Sequence, residues 1–159
     1  METEQLMREL AEQAKQLLEK DGYLEMVAVI TMKDGNPAFM PMCQFPAKEL
    51  AYRALHNTMI SMQPLRVLVI SESWIKVAEE GDEPGMDLST NPKSKEAIVI
   101  TSWENIGHAS QRKLLTIFFE RTPKGITYKP GSFDEVTHTA FFPTDEEMGL
   151  RPFDTKKLN

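Results

Sequence analysis

The stretch that most constrains the fold is residues 66–77, RVLVISESWIKV. Its first half contains four consecutive aliphatic residues, which is typical of a strand that is buried on both faces. Its second half alternates and carries a carboxylate, Glu72, two positions before Trp74. Because a strand places residues i and i+2 on the same face, we expect these two side chains to lie together. The sequence therefore predicts a central strand with an acid near its C-terminal end.

The segments before this strand predict two helices and a hairpin. Apolar residues recur at helical spacing over residues 3–20 and 47–62, which predicts two amphipathic helices. Strand-like residues 23–33 and 36–44 flank Asp34-Gly35, a short hairpin turn. Pro37 and Pro41 lie four positions apart in the second of these strands, and their missing N–H groups predict an edge strand.

The second half of the chain predicts a loop, three more strands and a tail. Residues 78–95 are polar and acidic, which is typical of a solvated, flexible loop. Residues 97–103, 112–121 and 126–128 then predict an antiparallel meander. We expect a single α+β domain over residues 1–131, with a mixed or antiparallel sheet of five to six strands and two helices packed against it. Residues 132–159 are predicted to form an irregular tail that wraps the domain or docks on a partner.

Composition excludes several classes of protein. The 159 residues carry 24 acids and 18 bases, a net charge of −6, which disfavours sequence-independent binding of nucleic acid. The apolar runs are shorter than the roughly 20 residues of a membrane span, and the acidic N-terminus differs from a signal peptide. Cys43 is the single cysteine, so an internal disulfide is excluded. We therefore expect a cytoplasmic protein that binds neither nucleic acid nor membrane.

The sequence contains no established cofactor motif. Its three histidines and one cysteine lack the spacing of a zinc site, and no glycine-rich phosphate loop is present. We accordingly predict no metal and no cofactor. Glu72 beside Trp74 has two interpretations: an acid or base poised by apolar surroundings, or a structural carboxylate that pairs with a neighbouring cation.

Two short segments follow a pattern of His-x-Thr and then apolar residues, completely in His56-Asn57-Thr58-Met59-Ile60 and in part in His138-Thr139-Ala140-Phe141-Phe142. This repeat resembles the signature of two-histidine phosphodiesterases. The resemblance implies that one imidazole accepts a proton, the other donates one, and hydroxyl groups such as that of Thr58 hold the phosphate. The second segment departs from the signature because Ala140 replaces the hydroxyl residue, which leaves Thr139 as the adjacent one.

A longer resemblance covers residues 66–121. Ser71-Glu72-Ser73-Trp74, and then residues 89–98, STNPKSKEAI, resemble segments of small uncharacterised bacterial and phage proteins. Those proteins carry Ser-Glu-Ala-Trp, so Ser73 replaces an alanine here. The resemblance implies a bacterial or phage accessory protein.

These observations favour a non-catalytic protein that acts by protein–protein interaction. The expected contact surfaces are the edge strand at residues 36–44, through which the chain could also self-associate, and the aromatic tail. The alternative is a phosphodiesterase-like hydrolase, which requires His56 and His138 to face one cleft, with Thr58 or Thr139 beside them.

Overall fold

The computed structural model describes residues 2–83, 86–137, 139 and 141–150, which form two helices and one antiparallel sheet. The chain order is α1 (Thr3–Asp21), β1 (Val27–Thr31), β2 (Pro37–Pro41), α2 (Lys48–Met62), β3 (Arg66–Ile75), β4 (Lys95–Asn105), β5 (Ser110–Thr122), β6 (Gly125–Tyr128) and β7 (Ser132–Glu135). The predicted α+β class is confirmed.

The sheet is open, and its strands lie in the order β2-β1-β3-β4-β5-β6, with β7 also paired to β5. All of these pairings are antiparallel. The sheet has seven strands, so the predicted number of five to six is wrong. The additional strand is β7, which comes from the segment expected to be irregular.

β7 forms because its one large apolar residue fits the core. Phe133 lies opposite Leu115 of β5 and packs against the core beneath α1. Gly131 precedes β7 at a close approach, where an added Cβ would lie 3.0 Å from the Leu115 side chain. The expectation of an irregular tail from residue 132 onward is therefore wrong for Ser132–Glu135.

The central strand β3 is buried on both faces, as its sequence predicts. Leu68 and Ile70 belong to the core beneath α1, together with Met7, Ala11, Ala14 and Leu18 of that helix. Val67 and Val69 belong to the opposite core, together with Ala51, Leu55 and Met59 of α2. The two helices therefore cover opposite faces of the sheet, which makes a three-layer sandwich.

The chain after β7 packs on the α2 face. Arg112 of β5 is buried, and its guanidinium donates to the carbonyl oxygens of Thr137, at 2.6 Å, and Pro143, at 2.8 Å. Phe142 and Met148 are buried in the same core as α2. This C-terminal segment thus closes the α2 side of the domain, whereas Phe153 lies outside the described residues.

The acidic loop between β3 and β4 is anchored at its start. The Lys76 ammonium lies 2.7 Å from a carboxylate oxygen of Asp82 and 3.7 Å from one of Glu79. Lys93 also pairs with Glu79, at 2.9 Å. These ion pairs connect the two ends of the loop, whose flexibility stays a prediction.

Candidate functional site

An open apolar groove lies on the α1 face of the sheet, between α1 and the β1–β2 hairpin. It encloses about 400 Å³. Most of its lining comes from α1, the α1–β1 connection and the hairpin: Leu10, Gln13, Ala14, Leu17, Asp21, Tyr23, Leu24, Glu25, Met26, Val27, Val29, Phe39, Pro41, Cys43 and Ile70. We refer to this feature as the α1–β2 groove.

The groove exists because α1 covers only part of its face of the sheet. Among the described residues, the buried core beneath α1 comes from β3, β4 and β5, with Val29 alone from β1. The register places the side chains of Pro37, Phe39 and Pro41 on this same face of β2. Phe39 is 66% exposed, so the outer strand presents an aromatic ring that the helix does not reach.

The wall formed by α1 is mixed in character: Gln13 and Asp21 are polar, whereas Leu10 and Leu17 are apolar. Leu10 and Leu17 lie seven positions apart, about two helical turns, on the flank of α1 beside its buried stripe. Leu17 is 49% exposed. Leu17 is one of the apolar residues whose spacing predicts an amphipathic helix over residues 3–20, but it is not buried because the helix turns this flank toward the open strip over β1 and β2.

The free edge of β2 has few hydrogen-bond donors. The N–H of Met42 donates to Met26, and that of Met32 donates to Asn36. Hydrogen-bonded pairs alternate along an antiparallel ladder. The backbone N–H and C=O groups of the even-numbered residues of β2 therefore point toward β1, and those of the odd-numbered residues point away from the sheet. Over Pro37–Pro41 the outward positions are proline, Phe39 and proline, which leaves one N–H donor. The predicted edge strand is confirmed, and its prolines occupy the unpaired side.

The charged side chains among the described residues that line the groove are both acidic, Asp21 and Glu25. The thiol of Cys43, which is exposed, donates to a carboxylate oxygen of Glu25 over 3.6 Å. The last residue of α1, Asp21, lies at this end of the groove. One end of the groove therefore presents negative charge beside an apolar interior, and we call this end its rim.

Both carboxylate oxygens of Glu72 make contacts that hold neighbouring segments together. One oxygen accepts a hydrogen bond from the N–H of Leu24 at 3.0 Å, and the other lies 2.9 Å from Arg121 of β5. Arg121 also contacts Glu96, at 2.9 Å, and donates to the carbonyl of Gly22 at the end of α1. Glu72 thus fixes the α1–β1 connection at one end of the groove. Trp74, by contrast, is exposed.

The described residues include only part of the phosphodiesterase resemblance. His56 and Thr58 lie on α2, where two positions correspond to a rotation of roughly 200° around the helix. The Thr58 hydroxyl donates to the carbonyl of Ala54 within α2 at 2.8 Å. His138 lies outside the described residues, so the predicted pairing of the two imidazoles stays a prediction.

His56 has an electrostatic connection to the C-terminal segment. Hydrogen bonding to Thr144, first through its backbone N–H, lowers the pKa of Glu147, and His56 adds a weaker effect in the same direction. His56 therefore lies within electrostatic range of Glu147, on the α2 face of the sheet. The α1–β2 groove is on the opposite face.

A second, polar cavity lies at the start of α1. It is lined by Glu2, Thr3, Glu4, Glu104 and Lys113. These groups interact with one another, since Lys113 lies 3.0 Å from Glu4 and the Thr3 hydroxyl donates to Glu104. Internal pairing accounts for this cluster.

Metal-binding clusters and membrane-crossing helices are both absent from the part of the chain that the structure describes. Its His, Cys, Asp and Glu side chains form no group of three or more that could hold a metal ion. Neither described helix has the length and apolar character that a membrane crossing requires.

Sequence reasoning identified the β2 edge but missed the groove beside it. The available signal was Phe39, a large aromatic residue between two prolines on a strand expected at the sheet edge. Leu17 and Tyr23 gave no comparable signal, because their exposure depends on which strands α1 covers. In comparisons with protein-family models, curated proteins and solved structures, the chain matches none of them.

Proposed function

We propose that this protein is a non-catalytic accessory protein that binds a protein partner in the α1–β2 groove. The observation that carries the proposal is the exposed apolar lining, with Leu17 on one wall and Phe39 on the other. Apolar side chains that stay exposed around a concave surface are typical of interaction sites. The acidic rim adds charge complementarity toward a partner segment that carries Lys or Arg.

The proposal places function on the α1 face, away from His56. It also accounts for Glu72, because the carboxylate fixes Leu24 and so shapes one end of the groove. The bacterial or phage setting implied by the resemblance of residues 66–121 belongs to this proposal as well.

The first experiment is affinity capture from a bacterial lysate with three baits in parallel. The baits are the wild-type chain, Leu17→Glu in the groove and Ile106→Glu outside it. Leu17 and Ile106 are matched, since they are 49% and 48% exposed. A specific partner should be retained by the wild-type and Ile106→Glu baits and lost from Leu17→Glu. Equal retention on all three baits contradicts the proposal.

A second experiment tests the non-catalytic part. The purified protein and a His56→Ala variant are incubated with cyclic nucleotides and a chromogenic phosphodiester. We expect no turnover above the buffer rate for either protein. Turnover that disappears in His56→Ala would establish the two-histidine hydrolase and contradict the proposal.

A further inference from the structure

We infer that the partner segment held in the α1–β2 groove is an amphipathic helix with basic residues beside its apolar face. This inference rests on the proposed function and specifies the partner's local structure and charge. Four features of the groove support the inference. They are the incomplete helix layer over the α1 face, the scarcity of N–H donors on the outer edge of β2, the spacing of the leucines along α1, and the acidic residues at the rim.

The two faces of the sheet are covered unequally. The core on the α2 face includes Ala28 and Ile30 of β1, with Met40 of β2 packed against it. On the α1 face, no helix among the described residues covers the strip over β1 and β2. Two strands span about 10 Å, which is close to the diameter of a helix with its side chains. One further helix beside α1 would complete this layer.

A β-strand is a poor candidate for the partner segment because the outer edge of β2 offers too few main-chain N–H donors to pair with it. β-Augmentation depends on a ladder of main-chain hydrogen bonds to an exposed edge. Pro37 and Pro41 remove two of the three outward donors of β2, which leaves the N–H of Phe39. Prolines in these positions protect an edge against pairing with other chains. The groove must therefore recognise its partner mainly through side chains.

The wall provided by α1 has a helical repeat of its own. Leu10 and Leu17 lie seven positions apart along the groove, with the exposed Gln13 and the buried Ala14 between them. A helix that packs beside α1 presents apolar residues at i, i+3 or i+4, and i+7, which match this repeat. Phe39 forms the facing wall, where it can enter the hollow between two such residues.

The charge at the rim selects basic partners. Asp21 and Glu25 are the charged side chains among the described residues that line the groove, and both lie at or just beyond the C-terminal end of α1. The whole chain carries a net charge of −6. Lys or Arg beside the apolar face of the partner helix would pair with this rim, and salt would weaken that contribution.

The test is selection from a phage-displayed library of random 16-residue peptides on the immobilised full-length protein, with Leu17→Glu as the counter-target. Selected peptides are then synthesised, and their affinities for the wild type, Leu17→Glu and Ile106→Glu are measured by fluorescence anisotropy. Each peptide is also made with a central proline and with its basic residues changed to glutamate.

The expected sequences have apolar residues at i, i+3 or i+4, and i+7, with flanking Lys or Arg. The central proline should weaken binding at least tenfold, and the charge reversal should weaken it severalfold at low salt.

Three kinds of selected peptide would overturn the inference and leave the groove as the binding site: sequences in which apolar and polar residues alternate, sequences that tolerate proline, and acidic sequences. Failure to enrich any peptide relative to Leu17→Glu would overturn the proposed function together with the inference. If the protein itself forms a dimer that is lost in the Leu17→Glu variant, the occupant of the groove is a second copy of the chain, and the inference is overturned.

Discussion

The carboxylate of Glu72 and the guanidinium of Arg121 lie 2.9 Å apart, on strands that are separated by β4. The same carboxylate accepts a hydrogen bond from the N–H of Leu24, in the connection between α1 and β1. Arg121 reaches the end of α1 through the carbonyl of Gly22. These contacts tie the end of α1 to β3 and β5 and fix the end of the α1–β2 groove.

Replacement of Glu72 should therefore act on stability and on the groove together. Glu72→Ala should lower the free energy of unfolding by about 1–3 kcal/mol, because it removes a charge-assisted hydrogen bond and leaves Arg121 with fewer partners. Urea denaturation measures the loss. Glu120→Ala, at an exposed position on β5, is the control and should change stability by less than about 0.5 kcal/mol. Equal stability of the two variants would contradict the structural role of Glu72.

The prolines of β2 should keep the outer edge from pairing. Pro37→Thr combined with Pro41→Thr restores two outward N–H donors, so the double variant should self-associate as its concentration rises. Size-exclusion chromatography with light scattering measures this change. Pro46→Thr, beyond the strand, should leave the molar mass unchanged. A double variant with the same molar mass as the wild type would show that the prolines do not control edge pairing.

The C-terminal segment should depend on Arg112. The buried guanidinium holds two carbonyl oxygens and lies 3.5 Å from Asp145, so Arg112→Gln should cost about 2–4 kcal/mol. Amides in residues 141–150 should exchange faster with deuterium than in the wild type. Arg53→Gln, at an exposed position of α2, provides the control. Unchanged exchange in Arg112→Gln would contradict this anchoring role.

Tyr128 should make the stability fall at high pH. Burial raises the pKa of Tyr128 to about 12, and the carboxylate of Glu19 adds to the effect. The ordinary pKa of tyrosine is about 10, so the folded state favours the protonated phenol. Its contribution to stability is complete below about pH 10 and is lost as the pH rises through about 12.

Absorbance of tyrosinate and chemical denaturation between pH 9 and 12.5 test this prediction. The wild type should lose a larger part of its stability than Tyr128→Phe over that interval. Tyr128→Phe also loses the hydrogen bond from the phenol to the carbonyl of Lys15, at 3.2 Å, so the comparison uses the slope with pH. Parallel pH profiles would contradict the raised pKa.

Local patterns predicted much of the fold. The aliphatic run of residues 67–70 predicted the doubly buried β3, and the spacing of Pro37 and Pro41 predicted the edge. β7 was not predictable, since a single apolar residue, Phe133, gives no periodicity and the strand depends on the free edge of β5. Tertiary packing decides such elements.

Local sequence patterns could not predict the groove, for a related reason. Leu17 and Leu18 of α1 are adjacent in sequence, and both belong to a broad apolar stripe. Leu18 is buried in the core, whereas Leu17 is exposed. Helical periodicity gives the width of the stripe but not the position of the helix over the sheet, and that position decides which flank meets solvent.

Thiol labelling reports directly whether a partner occupies the α1–β2 groove, because Cys43 lines the groove and is the one cysteine of the chain. The rate of maleimide modification is measured with and without a saturating concentration of the captured partner. The control is Cys43→Ser combined with Val77→Cys, since Val77 is 84% exposed and does not line the groove. Partner binding should slow labelling of Cys43 at least tenfold and leave position 77 unchanged. Unchanged labelling of Cys43 in the saturated complex would contradict binding in the α1–β2 groove.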